Sequence, residues 1–495
     1  MLLTMELLSK LKSLPILLLL FSLGSSIHAQ PYMATGFKVG EVSDTSAIVW
    51  TRLTEKAHPN PKTAEVPTFH FTDGTSIQPD LYDRPKEFRK VPKKVTYPTE
   101  GKVRDIRYAA PGTTGQVRVI YSLKGSSKSK NTQWKAVDPK ADFTRQFTLK
   151  ELQPDTVYNL TIESKNQDGS GTTRKGQFRT AASKSKPQQV TFTVSTGQAI
   201  PHQDRPDGFQ IYPTMLGSSH RPDFFVHTGD ILYYDALAKT KELAHWHWQR
   251  TYSRPTNVQF HEQIPSYFIK DDHDTWINDC WPSMVAPSMF EFTFQQGLEI
   301  FKQQVPMGDK TYRTYRWGKD LQIWLVEGRD FRSANTDPDN AQKTIWGKEQ
   351  KEWFFKTFSE SDATFRLLIS PTPIVGPDRK NKKDNHSNAN FKTEGDEIRA
   401  FLAEFDRIAV ICGDRHWQFH SVHPETKLNE FSCGPASDPH AGGWSQKDFR
   451  DSYHQFLRVK GGYLSVTVDR PLETPTCTVR FHGVDGKVHY EKSIK

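Results

Sequence analysis

Three short segments concentrate the residue types that can do metal chemistry. The first is His227-Thr228-Gly229-Asp230, with Tyr233, Tyr234 and Asp235 close behind. The second is Asp271-Asp272-His273-Asp274, followed by Asn278 and Asp279. The third is Cys412-Gly413-Asp414-Arg415-His416, with His420 four residues on. Each sets carboxylates and imidazoles at the end of an apolar run. Hard and borderline metal ions take that oxygen and nitrogen donor set. A carboxylate at a strand end can bridge two ions about 3.5–4 Å apart. Arg329, Arg332 and Arg415 are candidate clamps for phosphate oxygens, because guanidinium matches them in bidentate fashion. Arg332 is favoured because it lies just past a strand end. Asp235, Asp274 and Asp279 read better as turn or capping residues than as ligands. His420 reads as a packing or supporting group, and Tyr234 as a packing one.

These segments need a scaffold that ends several strands at one edge. After Gln189 the pattern supplies it, with apolar runs at 190–194, 224–227, 321–326, 366–370 and 408–412 separated by helical stretches such as 350–358 and 395–404. That alternation predicts an α/β unit whose loops at the strand ends hold the site. His245-Trp246-His247-Trp248 reads as a helix with an aromatic face in the core. Residues 33–182 look all-β instead. Ser46 to Thr51 is a β-branched and aromatic strand, and Gln116 to Leu123 alternates as an antiparallel strand does. Leu152, Pro154, Thr156, Tyr158 and Leu160 have the spacing of a tyrosine corner, the mark of an immunoglobulin or fibronectin type III sandwich. Residues 55–111 carry eight prolines and many charges, which predicts a long insertion or wrapping loop without core strands. The Ser-, Lys- and Pro-rich stretch 181–189 reads as the boundary.

The three motifs in this order resemble the metallophosphoesterase superfamily, and more closely its PhoD-type alkaline phosphatases and phosphodiesterases. The family's Gly-Asp-X-X-Tyr, Asp-Asp-His-Glu and Gly-Asp-X-His read here as Gly229-Asp230-Ile231-Leu232-Tyr233, Asp271-Asp272-His273-Asp274 and Gly413-Asp414-Arg415-His416. Flanking matches are Trp50-Thr51-Arg52, Arg329-Asp330-Phe331-Arg332 and Gln350-Lys351-Glu352-Trp353. The resemblance implies an α/β fold with an N-terminal immunoglobulin-like sandwich at 30–187 and a metallophosphoesterase sandwich at 188–495. It implies hydrolysis of phosphomono- or phosphodiesters by metal-bound hydroxide. Asp230 would bridge two metals, and Tyr233 would give a phenolate to a ferric-type site. Asp272, Asn278, Asp414 and His416 would complete the metal shells. His273 would act as general acid or stabilise the phosphate.

One position departs from the family. Its Ser-Cys-Gln segment supplies a thiolate ligand, whereas this chain has Ser195-Thr196-Gly197-Gln198. Glycine cannot ligate. His202, Asp204 or Asp207 could substitute, Cys280 or Cys433 could reach in, or the site could be incomplete. Loss of a soft anionic ligand weakens a ferric preference. The expected cofactors are therefore two or more metal ions, Ca²⁺ and/or Fe³⁺, with Mn²⁺ or Zn²⁺ admitted. A degenerate relative that binds or adheres without efficient hydrolysis is the alternative.

The remaining composition bounds the setting. Residues 1–29 have Lys10 and Lys12 ahead of an apolar run and small residues before Gln30, which predicts a signal peptide cleaved near Ala29/Gln30 and a secreted or periplasmic protein. No later stretch is long and apolar enough for a membrane helix. The net charge of +9 is uneven. Residues 30–187 hold 27 Lys and Arg against 16 Asp and Glu, and residues 188–495 hold 37 against 40. The basic N-terminal region suggests attraction to an anionic envelope surface. No helix-turn-helix, zinc-finger or RRM signature is present, so specific nucleic-acid binding is not expected.

Overall fold

A computed structural model describes residues 30–79, 86–98, 101–219 and 221–494. The signal-peptide reading of residues 1–29 lies outside the described residues.

Two sheets build the second region. In one, the order is Ser266–Ile269, Phe224–Thr228, Val190–Ser195, Tyr463–Asp469, Thr476–His482 and Val488–Ile494, with the first three strands parallel. In the other it is Arg313–Trp317, Leu321–Leu325, Phe365–Ser370, Ile408–Cys412, Asn429–Cys433, Gln418–Val422 and His454–Arg458. Leu321–Leu325, Phe365–Ser370, Ile408–Cys412 and Asn429–Cys433 run parallel. Strand periodicity divides their side chains between two faces. Ile323, Leu367, Ile369 and Ile411 join Phe192, Phe224 and Val466 in a core between the sheets. Trp324, Leu368 and Val410 point the other way, onto helices Gly347–Ser359 and Lys392–Leu402. Phe225 turns outward on the first sheet, against Tyr212 and Phe260 of helices Ile211–Gly217 and Pro255–His261. The result is a sheet-on-sheet sandwich with helices on both outer faces. The parallel strands end at Ser195, Thr228, Ile269, Ser370, Cys412 and Cys433, and the loops after them form one edge.

The N-terminal region is β-rich, as its alternation predicts. A three-stranded sheet of Phe37–Gly40, Ala47–Arg52 and Thr144–Leu149 faces a five-stranded sheet built around Gln116–Leu123 and Val157–Lys165. The tyrosine corner is present, with the Gln153 N–H donating to the Tyr158 hydroxyl at 2.8 Å. Arg52 is fully buried, forked onto Asp142 at 2.8 Å and bonded to the Ala110 carbonyl at 2.7 Å. Such a buried pair is satisfied only in one arrangement, so it ties the insertion to the sandwich.

The insertion at 55–111 contributes no strand to the sandwich, but it has strands of its own. Thr68–Phe71, Ser76–Ile77 and Pro92–Thr96 form a small antiparallel sheet. Its Phe69 and Phe71, with Phe88 and Ile106, pack on Leu243 and Trp246 of helix Lys241–Tyr252. The prolines and charges hid three short strands that become stable only against that helix. The same helix turns Trp248 into the core, its indole N–H donating to Tyr234 Oη at 2.6 Å.

Candidate metal centre

The Asp230 turn begins at the end of Phe224–Thr228. Gly229 has φ +100°, and a Cβ there would lie 2.6 Å from that of Asp271. Only glycine lets the two motif loops approach so closely. Asp230 itself is left-handed, with φ 54°, and Asp414 repeats this with φ 59°. Aspartate tolerates that region better than most side chains, and strain of this kind concentrates at functional sites.

Asp230, Tyr233 and His416 meet. The Tyr233 hydroxyl lies 3.1 Å from Asp230 Oδ2 and 3.2 Å from His416 Nε2, which is itself 3.2 Å from the same carboxylate oxygen. Asp230 is 1% exposed, and its Oδ1 has no hydrogen-bond partner. Burial, with Asp272 and Asp414 adding repulsion, pushes its carboxyl well above the usual range. Burial also lifts Asp414, with help from Asp384 and Asp272, to about 6. Asp272 goes the other way. Burial opposes ionisation, but His273 and Arg329 outweigh it and hold the carboxyl low. A buried cluster of carboxylates with an orphaned oxygen fits a cation, because a cation removes the repulsion and takes up the free lone pairs. Carboxylate oxygens of Asp230 and Asp272 and a ring nitrogen of His273 all lie within 4.8 Å of one another.

His273 is held by a residue the sequence reading treated as a turn. Asp235 Oδ2 is 2.6 Å from His273 Nδ1, and Asp235 Oδ1 accepts the Asn278 N–H at 2.8 Å. Burial would lower the imidazole pKa, but Asp235, Asp272 and Asp230 raise it well above its ordinary value. Asp274 is a cap, as expected, accepting the Asp271 N–H at 2.7 Å. His420 bonds Tyr490 and Asn429 and stacks on Phe431.

Two other expected contributors have partners of their own. Asn278 is exposed, and its backbone N–H donates at 2.8 Å to Asp235, which holds His273. Arg332 is 4% exposed, and its guanidinium bonds Asn335 at 2.6 Å and the Asp384 carbonyl at 2.9 Å. Its Nε has no hydrogen-bond partner. Arg329 and Arg415 are also fully buried, at 2.6 Å from Asp271 and Asp414 respectively, the latter an ion pair without hydrogen-bond alignment. A cation with some solvent access is Lys382, 2.6 Å from Asp279, with a side chain 15% exposed. It comes from a loop that carries no motif, and sequence reasoning passed over it.

The Gly197 position does face the cluster. A Cβ there would lie 3.3 Å from His416 Nε2 and 3.2 Å from the Pro435 side chain, at φ +53°. Cys280 is turned to the Asp272 carbonyl and Cys433 to that of Cys412. Asp207 pairs with Arg205, and Asp204 accepts the Gln210 N–H. The group that arrives instead is His440, from the short turn Asp438–His440. Its Nε2 is 3.1 Å from the Tyr233 hydroxyl, and its Nδ1 is 2.9 Å from the Gly197 carbonyl. His202 lies behind it, its ring tilted at 48° with 5.0 Å between ring centroids. One signal could have found His440: Asn429–Cys433 is a strand, and residues beyond its end fall on the same edge as the motifs.

Comparison with known proteins agrees with this fold. A family model described as PhoD-like phosphatase matches residues 192–464. A solved structure of PhoD superposes with a TM-score of 0.69 at 14% identity, covering 94% of this chain and 90% of that one. A purple acid phosphatase from yellow lupin (Lupinus luteus) seeds gives 0.61 at 10% identity, covering 93% of this chain and 74% of its own. At those identities the two structures share the fold. No curated protein matches the sequence.

Proposed function

The chain belongs to the PhoD-like phosphatase family and is accordingly a phosphoesterase; from that premise we propose that it is an exported, metal-dependent hydrolase of phosphomono- or phosphodiesters. The observation that carries the metal dependence is the convergence of Asp230, Tyr233, Asp272, Asp414 and His416 at one strand edge, with a buried Asp230 oxygen left unpartnered. Ions held by these residues would neutralise the phosphate oxygens and lower the pKa of the attacking water.

The chain's own groups do the rest. His273 is kept protonated by Asp235, which fixes Nδ1 and leaves Nε2 to donate a proton. As the bond from phosphorus to the leaving oxygen breaks, that proton converts the alkoxide to an alcohol. Lys382 is placed to attract the anionic ester, and its own charge is secured by Asp384 and Asp414 against the effect of burial. Arg329 and Arg415 anchor the motif loops in place of touching substrate.

The test is turnover of p-nitrophenyl phosphate and bis-p-nitrophenyl phosphate by chelated protein, with single metals added back. Activity that returns with metal supports the reading. No turnover with any metal favours the binding-protein alternative. Export rests on residues 1–29 and is checked by fractionation and N-terminal sequencing, with mature Gln30 expected. Among the described residues no helix is long and apolar enough to cross a membrane. The basic region 30–187 would add attraction to an anionic envelope surface, seen as salt-sensitive retention of the full chain on anionic vesicles.

A further inference from the structure

We infer that His440 is a metal ligand, standing in for the thiolate that Gly197 cannot supply, so that one ion is held by His440, His416, Tyr233 and Asp230. The inference rests on the metal-dependent reading above. Its basis is a count of hydrogens. Four contacts of 3.1–3.2 Å join these side chains: Tyr233 to Asp230, to His416 and to His440, and His416 to Asp230. Tyr233 has one hydroxyl hydrogen, and His416 contributes at most one at Nε2. The His440 Nδ1–H is committed to the Gly197 carbonyl, so in the neutral ring its Nε2 presents a lone pair. With Asp230 ionised, two of the four contacts therefore have no hydrogen between them, and a protonated Asp230 would still leave one. His440 is 7% exposed, so water is a poor remedy for that repulsion.

A cation removes the deficit at once. Ions bound at about 2.0–2.2 Å to nitrogen and oxygen have ligand-to-ligand edges of about 2.8–3.6 Å, from octahedral to tetrahedral geometry, and these contacts fall inside that range. The bond from His440 Nδ1 to a backbone carbonyl is also the support that a ligating imidazole commonly has, since it fixes the tautomer and the ring. The same residue thus explains both sides of the exchange. Without a side chain at 197, no Cβ crowds His416, and the Gly197 carbonyl is available to orient the imidazole that replaces the sulfur.

Replacing a thiolate by a neutral imidazole makes the cradle one unit less negative and harder in donor type. It therefore selects a divalent borderline ion, of which Zn²⁺ is the best match, over Fe³⁺. Two imidazoles likewise disfavour Ca²⁺, which takes oxygen ligands. The oxygen-only pair Asp272 and Asp414 is left for the harder ion.

Zn²⁺ and Co²⁺ binding to the full chain tests the assignment without reference to turnover. In the wild type loaded with one equivalent of Co²⁺, two imidazole N–H protons should show large paramagnetic shifts, assigned with His416→Gln and His440→Gln. His440→Ala should weaken binding of the first Zn²⁺ by about 100-fold or more, judged against ligand-support losses of about 10–100-fold. A wild-type spectrum in which His440→Gln removes no shifted signal would overturn the inference, whatever that variant does to folding. So would unchanged Zn²⁺ affinity in His440→Ala, or one Fe³⁺ per chain in purified protein. Protein that shows both imidazole signals yet hydrolyses neither ester would defeat the metal-dependent hydrolase reading and leave His440 as a ligand.

Discussion

The two halves of the metal centre solve the problem of buried charge differently. Around Tyr233 the donors crowd one another at 3.1–3.2 Å. Around Asp272 and Asp414 the protein supplies its own cations: Arg415 beside Asp414, Arg329 near Asp272 at 3.9 Å, and Lys382 facing both carboxylates electrostatically. A half with internal counter-charges can persist without an ion, whereas a half short of hydrogens needs one. The difference predicts tight binding on the Tyr233 side and weaker, exchangeable binding on the Asp414 side.

Asp230 belongs to both halves, so its loss should be the most damaging. Asp230→Asn is expected to lower kcat by roughly 10³–10⁵-fold, the scale of several kcal/mol of lost charge stabilisation, and to cut metal content measured by elemental analysis. Retained metal with lost activity would separate holding the ion from using it. His273→Ala should keep the metal on the Tyr233 side and lower kcat by roughly 10²–10⁴-fold; an unchanged kcat would contradict its role as acid. Asp235→Asn should follow at about 10-fold in kcat with little change in KM, as expected of a group that holds the acid without touching substrate.

Graded chelation sharpens the contrast at smaller amplitude. Limited dialysis against a chelator should strip the Asp272/Asp414 ion first and leave about one equivalent per chain. The smallest effect expected is on pH dependence of stability. In metal-free protein, burial raises Asp230 and brings Asp414 to about 6. Raised carboxyls stabilise the fold in their neutral form, so this contribution is complete below about pH 4 and is lost as pH rises through about 6. Ions keep the same groups ionised in loaded protein. The gap in Tm between loaded and chelated protein should therefore widen from about pH 4 to pH 7, and calorimetry at several pH values would show it. A gap independent of pH would mean that these carboxylates do not face the ion.

Much of the site was legible because its residues are local. Gly229-Asp230 with Tyr233, Asp272-His273 and Asp414 with His416 are short patterns at the ends of apolar runs, and the structure brings them to one edge. The strands at 190–195, 224–228 and 408–412 were equally plain, since buried parallel strands read as continuous apolar runs. The misses have a common cause. His440, Asp235 and Lys382 lie on loops whose residues look like ordinary turn and surface composition. Their roles come from partners 243, 38 and 103 residues away in sequence. Arg332 shows the converse. Its position after a strand made it a candidate, and only the tertiary structure shows the loop carrying Asp384 folded over it.

Sequence alone determined the family, the α/β sandwich with its preceding β region, and most carboxylates of the candidate metal centre. Periodic burial and short motifs are properties of neighbouring residues and need no knowledge of the fold. Only the tertiary structure decided what answers the glycine at 197. A ligand set closes across strands far apart in sequence, and no local pattern records which imidazole the packing will deliver.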